Sequence, residues 1–462
     1  MRFSDESNIH YRINNIDQLD NKVLLKFIEH HKENQSPRLR ELEQYYKGQN
    51  SIVMEESRRR EEHLADNRAS HNFAKYVSQF ITGYMVGVPL KTSYDDDERI
   101  DELLRDINVK NDADEHNTDL VLDLSIFGRA YELIYRADDD TTRFIDLNPL
   151  HTFVIYDDTV QCKPLAGVRY LGNQFTEDET IYVYTADEIR VCKLDKGGKL
   201  SNWEINSHYF DGVPIIEYQN NSYRQGDFED VLNLIDLYDA AQSDTANYMQ
   251  DLNDAMLKIV GNLDIDVEKA KEMKEANLLL LQTELGTDGK VNQADADYIY
   301  KKYDVAGTEA YKDRVFNNIL LFTSIPNLLD DKGSVGNQSG EALKMKLFAL
   351  SQKRAVKERL FKKSLRDRYR LINNIMSTAS EGNFNIEGIS ITFTENLPSM
   401  IDKELEWFTA AGGELSQETL LSQLSFVENA KVELERIAEE NPRARLIDYE
   451  FPVVEEVTDI EP

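Results

Sequence analysis

The period of the apolar residues changes twice along this chain, and that change restricts the fold more than any other feature. From Phe144 to about Tyr218 large residues alternate: Phe153-Val-Ile-Tyr156, Gly167-Val-Arg-Tyr-Leu171, Ile181-Tyr-Val-Tyr184, Ile189-Arg-Val-Cys192 and Ile215-Ile-Glu-Tyr218. These runs are β-branched and aromatic, with turn formers at Asp157-Asp158 and Lys196-Gly197-Gly198, so they predict an antiparallel sheet. On both sides the apolar residues recur every three to four positions, the period of amphipathic helices. The fold class is α+β, mainly helical.

In the first third, Val23 to Lys47 carries Leu24, Leu25, Phe27 and Ile28, then Leu39, Leu42 and Tyr46; Pro37 suits the first turn of a second helix. Asn67 to Val86 predicts a helix with Phe73, Tyr76, Val77, Phe80 and Ile81 on one stripe, stopping at Gly87-Val-Pro89. A long helix is expected from Asp227 to about Val260. At ~100° per residue, Asp236, Asp239, Asp244, Asp251 and Asp254 fall within an arc of about 140°, opposite Leu234, Tyr238, Met249 and Ile259. An acidic insert, 261–307, precedes another helical stretch, Thr308 to Ile325, which ends at Pro326.

Then comes DKGSVGNQSGEALKMK, Asp331 to Lys346, in which Gly333, Gly336 and Gly340 lead into a helix from about Ser339 to Met376. That helix is basic, with Lys357, Lys362, Arg366 and Arg370 among its cations. In so acidic a chain it is expected to pair with acidic surfaces of its own fold or of a neighbouring copy. A β segment at Ile389 to Thr394 and helices at Lys403 to Ala411 and Gln417 to Glu439 precede an acidic tail.

Charge narrows the function. With 85 acidic against 53 basic residues the formal net charge is −32, the opposite of the basic footprint that duplex grippers carry. The glycine-rich stretch lacks the G-x-x-x-x-G-K-[ST] spacing of a nucleotide loop, and Glu341 stands where the lysine belongs. No HExxH, His/Cys cluster or G-x-S-x-G elbow is present, so no catalytic residue, cofactor or metal is assigned. Only Cys162 and Cys192 occur, without a CxxC, which suits small apolar positions in strands rather than a disulfide. Apolar runs such as Leu278 to Leu281 fall short of the ~20 residues of a membrane helix, and no signal peptide is read at the start, so no membrane partner is expected.

The segments RREEHLADNRASHNFAKYVSQFITGYMVGVPL, LDLSIFGRAYELIYRADDDTTRF, LYDAAQSDTANYMQDLNDAMLKIVG, YKDRVFNNILLFTSIPNL and QSGEALKMKLFALSQK, in that order, resemble the portal proteins of long-tailed (siphophage-type) bacteriophages. The resemblance runs over about residues 20 to 435. It implies a ring, usually of twelve copies, at one capsid vertex of the virion, through which double-stranded DNA is packaged and ejected. Expected partners are the terminase large subunit, the head-tail connector and the major capsid and scaffolding proteins, with assembly in the host cytoplasm. By position it implies a wing at 1–226, a stem helix at 227–260, a clip at 261–307, a second stem helix at 308–326, a tunnel loop at 327–339, a long wing helix and β segment at 340–400, and a crown and acidic tail at 401–462.

The glycine-rich stretch then falls on the tunnel loop, with Lys332, Ser334, Asn337 and Gln338 facing DNA. The aspartate face would lie toward the channel or a neighbouring subunit, and the basic helix, through Lys357, Lys362, Arg366 and Arg370, would bind the next copy. The alternatives are an acidic assembly adaptor or scaffold outside the portal family, and a metal-dependent nuclease using some of the carboxylates.

Overall fold

The computed structural model describes residues 3–55, 65–94, 97–172, 178–195, 197–251, 304–327, 345–394, 401–411, 415–422 and 430–440, with Leu424 and Val427. Between 252 and 303 it describes only 256–260, 268, 271, 284–285, 291–292 and 295–299. Two sheets carry the chain's middle third. The larger has the order β1-β5-β6-β7-β8-β9, built from Tyr11–Ile13, Thr152–Asp157, Pro164–Gly172, Glu179–Tyr184, Glu188–Leu194 and Leu200–Ser207. Its strands pair antiparallel except β1, which lies parallel to β5. The smaller is β10-β3-β4, Ile215–Gln219, Arg129–Arg136 and Thr142–Leu147, also antiparallel. A two-stranded pair, β2 (Lys91–Tyr94) and β15 (Ile389–Thr392), ties the N-terminal part to the chain beyond residue 388.

The alternating runs all fall inside strands, because alternate residues enter the same core: Phe153 and Ile155, Val168 and Tyr170, and Ile181 and Val183 pack against α1 (Asn21–His30) in one core. α1 continues through a wide turn at His31–Gln35 into α2 (Ser36–Tyr46), with Pro37 in the first turn as expected. Cys192 is buried in β8, whereas Cys162 lies in a turn at positive φ rather than in a strand.

The helices α3 (Ser51–Met54), α4 (Phe73–Val86), α5 (Glu98–Lys110), α6 (Ala113–Phe127), α7 (Leu232–Asp251), α8 (Val305–Thr323) and α9 (Phe348–Thr378) make the remaining layers. The three-stranded sheet is sandwiched. On one face Tyr131, Leu133, Leu147 and Ile215 meet the larger sheet through Val154 and Tyr184. On the other, Ala130, Ile134, Ile216 and Tyr218 meet Leu120, Val121 and Leu124 of α6 and Phe361, Leu365 and Ile372 of α9. Burying each such side chain stabilises by roughly 1.5–3 kcal/mol relative to exposure. A third core gathers α2, α4, α7, α8 and the start of α9 around Leu39, Val77, Ile235, Ile319 and Leu350. At the C-terminal side lie α10 (Ile401–Ala410), α11 (Gln417–Ser422) and α12 (Ala430–Glu440); the single helix expected at Gln417 to Glu439 is broken.

Backbone contact demands glycine at the junction before β3. Gly128 has φ +79°, and a Cβ there would stand 2.1 Å from the Arg224 carbonyl oxygen. Gly226 lies equally close, with its virtual Cβ 2.4 Å from the Ile126 oxygen. The loop that leads into α7 is thereby pressed against the end of α6, and Asp227 N–H donates to the Ser125 carbonyl at 2.8 Å.

Two expectations are corrected. The helix read from Asp227 to Val260 is α7 only over Leu232–Asp251, and β11 (Met256–Val260) pairs antiparallel with β14 (Asp295–Ile299). Met256-Leu-Lys-Ile-Val260 suits a strand as well as a helix turn, and the partner strand decides it. The helix read from Asn67 starts only at Phe73, for a reason given below. The helix read from Ser339 to Met376 is seen as α9 over Phe348–Thr378; its expected start at 339–344 lies outside the described residues.

Candidate functional site

Helix α7 places small polar residues at i, i+4 and i+8: Asp239, Ser243 and Asn247, all 0% exposed. Across from them residues 67–71 run extended, and alternate backbone N–H groups donate to this stripe. Asn67 N reaches Asn247 Oδ1 at 2.6 Å, Ala69 N reaches Ser243 Oγ at 2.9 Å, and His71 N reaches Asp239 Oδ1 at 2.9 Å. The match is geometric: two extended residues advance ~6.7 Å and four helical residues ~6 Å, so the two ladders stay in step. Segment 67–71 uses these donors on α7 side chains instead of a helix of its own, which explains the late start of α4. Asn72 ends the strap and caps α4 by accepting from Lys75 N at 3.0 Å.

The aspartate face is corrected by this arrangement. Asp239 also accepts from Asn50 Nδ2 at 2.6 Å and pairs with His71 Nδ1 at 2.8 Å, and Asp236 accepts from Tyr45 and Ser51 hydroxyls. Asp239, 0% exposed, therefore turns into its own chain and not to a channel or a neighbour, while Asp236 is half-buried and bonded within its own chain. Asp244 is exposed on α7; nothing is described of the Asp251 side chain, and Asp254 lies outside the described residues. The spacing of Asp239, Ser243 and Asn247 was the missed signal: polar residues too short to reach solvent from a helix face shared with Ile235.

Helix α9 has two electrostatic faces. On the inner one, Lys357, 2% exposed, bonds Asp227 Oδ2 at 2.5 Å, and Lys353 lies 3.0 Å from Oδ1 of the same carboxylate. Asn220 Nδ2 adds a bond at 3.2 Å. Burial pushes the Asp227 carboxyl up, but the two ammonium groups outweigh it and hold it well below the ordinary range. Lys357 is accordingly removed from the residues expected to bind a neighbouring copy, because its charge is spent inside the chain.

Three turns on, Arg368 is 1% exposed and reaches Glu132, whose side chain is 0% exposed. Arg368 Nη2 lies 2.6 Å from Oε1 and Nε donates to Oε2 at 3.1 Å, while Nη2 also donates to Asn117 Oδ1 at 3.0 Å. His116 Nε2 at 2.7 Å and the Tyr218 hydroxyl at 2.9 Å complete the carboxylate's shell. Burial alone would raise Glu132, yet the guanidinium beside it and the imidazole bond bring it down to about 2. The guanidinium carbon also stands 4.4 Å from the centre of the Phe144 ring. One charged node therefore joins α6, β3, β10 and α9, elements far apart in sequence.

The outer face of α9 differs. Lys362 lies over the Phe393 ring at 5.3 Å, half-buried in its own chain. Arg366 and Arg370 are exposed, Arg370 within 3.1 Å of Asp367. Lys332, Ser334, Asn337 and Gln338 lie outside the described residues. Among the described residues, no group of three or more His, Cys, Asp or Glu side chains is placed to hold a metal ion, and no helix is long and apolar enough to cross a membrane.

Known proteins resemble this chain in sequence over most of its length. The portal protein of Clostridium phage phiCD119 is 25% identical over 397 residues, covering 79% of this chain and 83% of that protein. The portal protein of Bacillus phage SPP1 is 24% identical over 465 residues, covering 91% and 86%. Among solved structures, the neck of a native gene transfer agent particle with C12 symmetry matches with a TM-score of 0.45 at 14% identity, covering 76% of this chain and 88% of that one. The neck of the empty particle with C6 symmetry gives 0.44 at 13% identity, covering 77% and 90%. Residues 25–445 match the family described as "Phage portal protein, SPP1 Gp6-like", and the chain belongs to that family of phage portal proteins.

Proposed function

We propose that this portal protein works as a ring-shaped conduit of identical subunits at one vertex of a virion, passing double-stranded DNA without catalysing a reaction on it. The observation that carries the reading is the collinear family match over residues 25–445. The fold supports it: α7 and α8 pack together, joined by Lys312 Nζ on Gln242 Oε1 at 2.9 Å, and suit a pair of stem helices. Residues 261–307 between them would be the clip, 327–339 the tunnel loop, 401–462 the crown and tail, and the sheets with α1–α6 and α9 the wing. The clip would dock a packaging ATPase such as a terminase large subunit and, later, a head-tail connector. The wing would meet capsid and scaffolding proteins during assembly in the host cytoplasm.

Lys332, Ser334, Asn337 and Gln338 remain proposed as weak phosphate contacts on the tunnel loop. A formal charge of −32 on every subunit favours sliding of the duplex over gripping. Light scattering with negative-stain imaging of the purified chain tests the reading. Rings with a central hole, together with failure to cleave duplex DNA in Mg²⁺, are the expected result. A monomer at every concentration, or Mg²⁺-dependent cleavage abolished by one Asp substitution, overturns it.

A further inference from the structure

The outward side of α9 is a single stripe spaced 4, 4, 3, 4, 3 and 4 residues apart from Phe348 to Arg370, about 33 Å long at 1.5 Å per residue. It changes character midway. Phe348 and Val356 are 61% and 49% exposed, and after them come the exposed cations Arg359, Lys363, Arg366 and Arg370. Arg359, Lys363 and Arg366 form no ion pair with any described residue.

At the other edge of the small sheet the charges reverse. Helix α6 carries Glu115, Asp119 and Asp123 at i, i+4 and i+8, beside Asp146 on the edge strand β4 and Glu43 on α2. Burial and then the charges of Asp146, Asp119 and Glu43 push the Asp123 carboxyl well up, and Asp119 is raised by burial and by Asp146 and Glu115. These neighbours are mostly carboxylates, so the stripe is repulsive within its own chain. Next to Asp123 the surface turns aromatic: Tyr46 bonds Gln79, and the neighbouring Phe80 ring lies 6.0 Å from that of the exposed Tyr76. The apolar and basic segments of α9 thus have complements, aromatic and acidic, around α6.

α9 lies over β10, with Ser364 Oγ donating to the Glu217 carbonyl at 3.1 Å, while the acidic stripe lies beside β4 at the opposite edge of the sheet β10-β3-β4. Two different, complementary patches on opposite edges make a head-to-tail contact, the kind that closes into a ring. We propose that the outer stripe of α9 docks on the exposed Glu115 and Asp119 of α6 in the next copy, so that this charge pair sets the direction of subunit addition. The inference rests on the ring reading above and names the surfaces that make it.

Charge exchange separates the two. R366E/R370E alone and E115K/D119K alone are expected to lose rings in light scattering at low salt. The 1:1 mixture is expected to restore them, because each variant then presents to the other the charge it lacks itself. As a second measurement that charge reversal cannot confuse with misfolding, D119C/R366C in a chain with Cys162 and Cys192 replaced by serine should yield a ladder of covalent oligomers on oxidation. If the unaltered chain forms no rings, the ring reading and this pairing fall together. If it forms rings that both charge variants keep, or rings of D119C/R366C give no ladder, the pairing alone falls. Loss of duplex binding by R366E/R370E with rings intact would assign the stripe to phosphate instead and equally overturn it.

Discussion

The two faces of α9 use the same residue types for opposite ends. Lys357 and Arg368 on the inner side are 2% and 1% exposed and locked on Asp227 and Glu132. Arg366, two positions before Arg368, is exposed and binds no described residue as an ion pair. A difference of two residues, about 200° on a helix, therefore separates a cation that holds layers together from one available to another copy. A basic stretch in an acidic chain is not one feature but two, and only the 3.6-residue period tells them apart.

Removing an inner charge should show this most strongly. Arg368→Ala leaves Glu132 buried without its counter-ion, and about 3–5 kcal/mol of stability should be lost in urea unfolding; a loss below 1 kcal/mol would mean the node is not a fold determinant. The same contrast exists on α7. Asp239→Ala strips the acceptor from Asn50 and from the His71 backbone and ring, a cost of about 1–3 kcal/mol, with faster amide exchange at residues 67–71. Asp244→Ala, on the exposed side, should change neither.

Acid should act on the buried charges and imidazoles around the two sheets before it affects the exposed cations of α9. His10 is lowered to about 4 and His31 to about 3, in both cases first by burial and then by nearby guanidinium groups, against an ordinary 6.5. They stay neutral in the fold and take up protons on unfolding, so stability should begin to fall as pH drops below about 6.5. Glu132 and Glu217, both at about 2 against 4.5, add their loss between about pH 4.5 and 2. For Glu217 burial raises and the Arg224 guanidinium, 2.7 Å away, more than offsets it. Asp123, whose carboxyl is pushed well up, works the other way as pH falls toward 3.8, so melting temperature should fall most steeply between about pH 4.5 and 3, where Glu132, Glu217 and His31 act together; no fall over that range would contradict the assignment. The smallest effect is expected for Arg366→Ala, within ~0.5 kcal/mol on the unfolding of the subunit itself.

The sequence by itself determined the class and the order of parts. Alternation from Phe153 to Tyr218 reports strands because alternate residues enter the same core, and the apolar period of α4, α6, α8 and α9 reports helices because one stripe of each is buried. It also determined family membership, since long collinear segments carry more information than any short motif. What only the tertiary structure decided is where polar groups go. Asp239 and Asp236 fall on a face expected toward the channel or a neighbouring subunit, yet the strap at 67–71 and the hydroxyls of Tyr45 and Ser51 bond them within the chain. Lys357 counted as a surface cation until Asp227, 130 residues earlier, was seen to hold it. Met256–Val260 counted as helix until a partner strand at Asp295–Ile299 supplied its hydrogen bonds. Apolar periodicity is a local consequence of one-sided burial, whereas a buried charge is stable only beside a counter-charge, and the sequence does not state which distant residue folding will bring there.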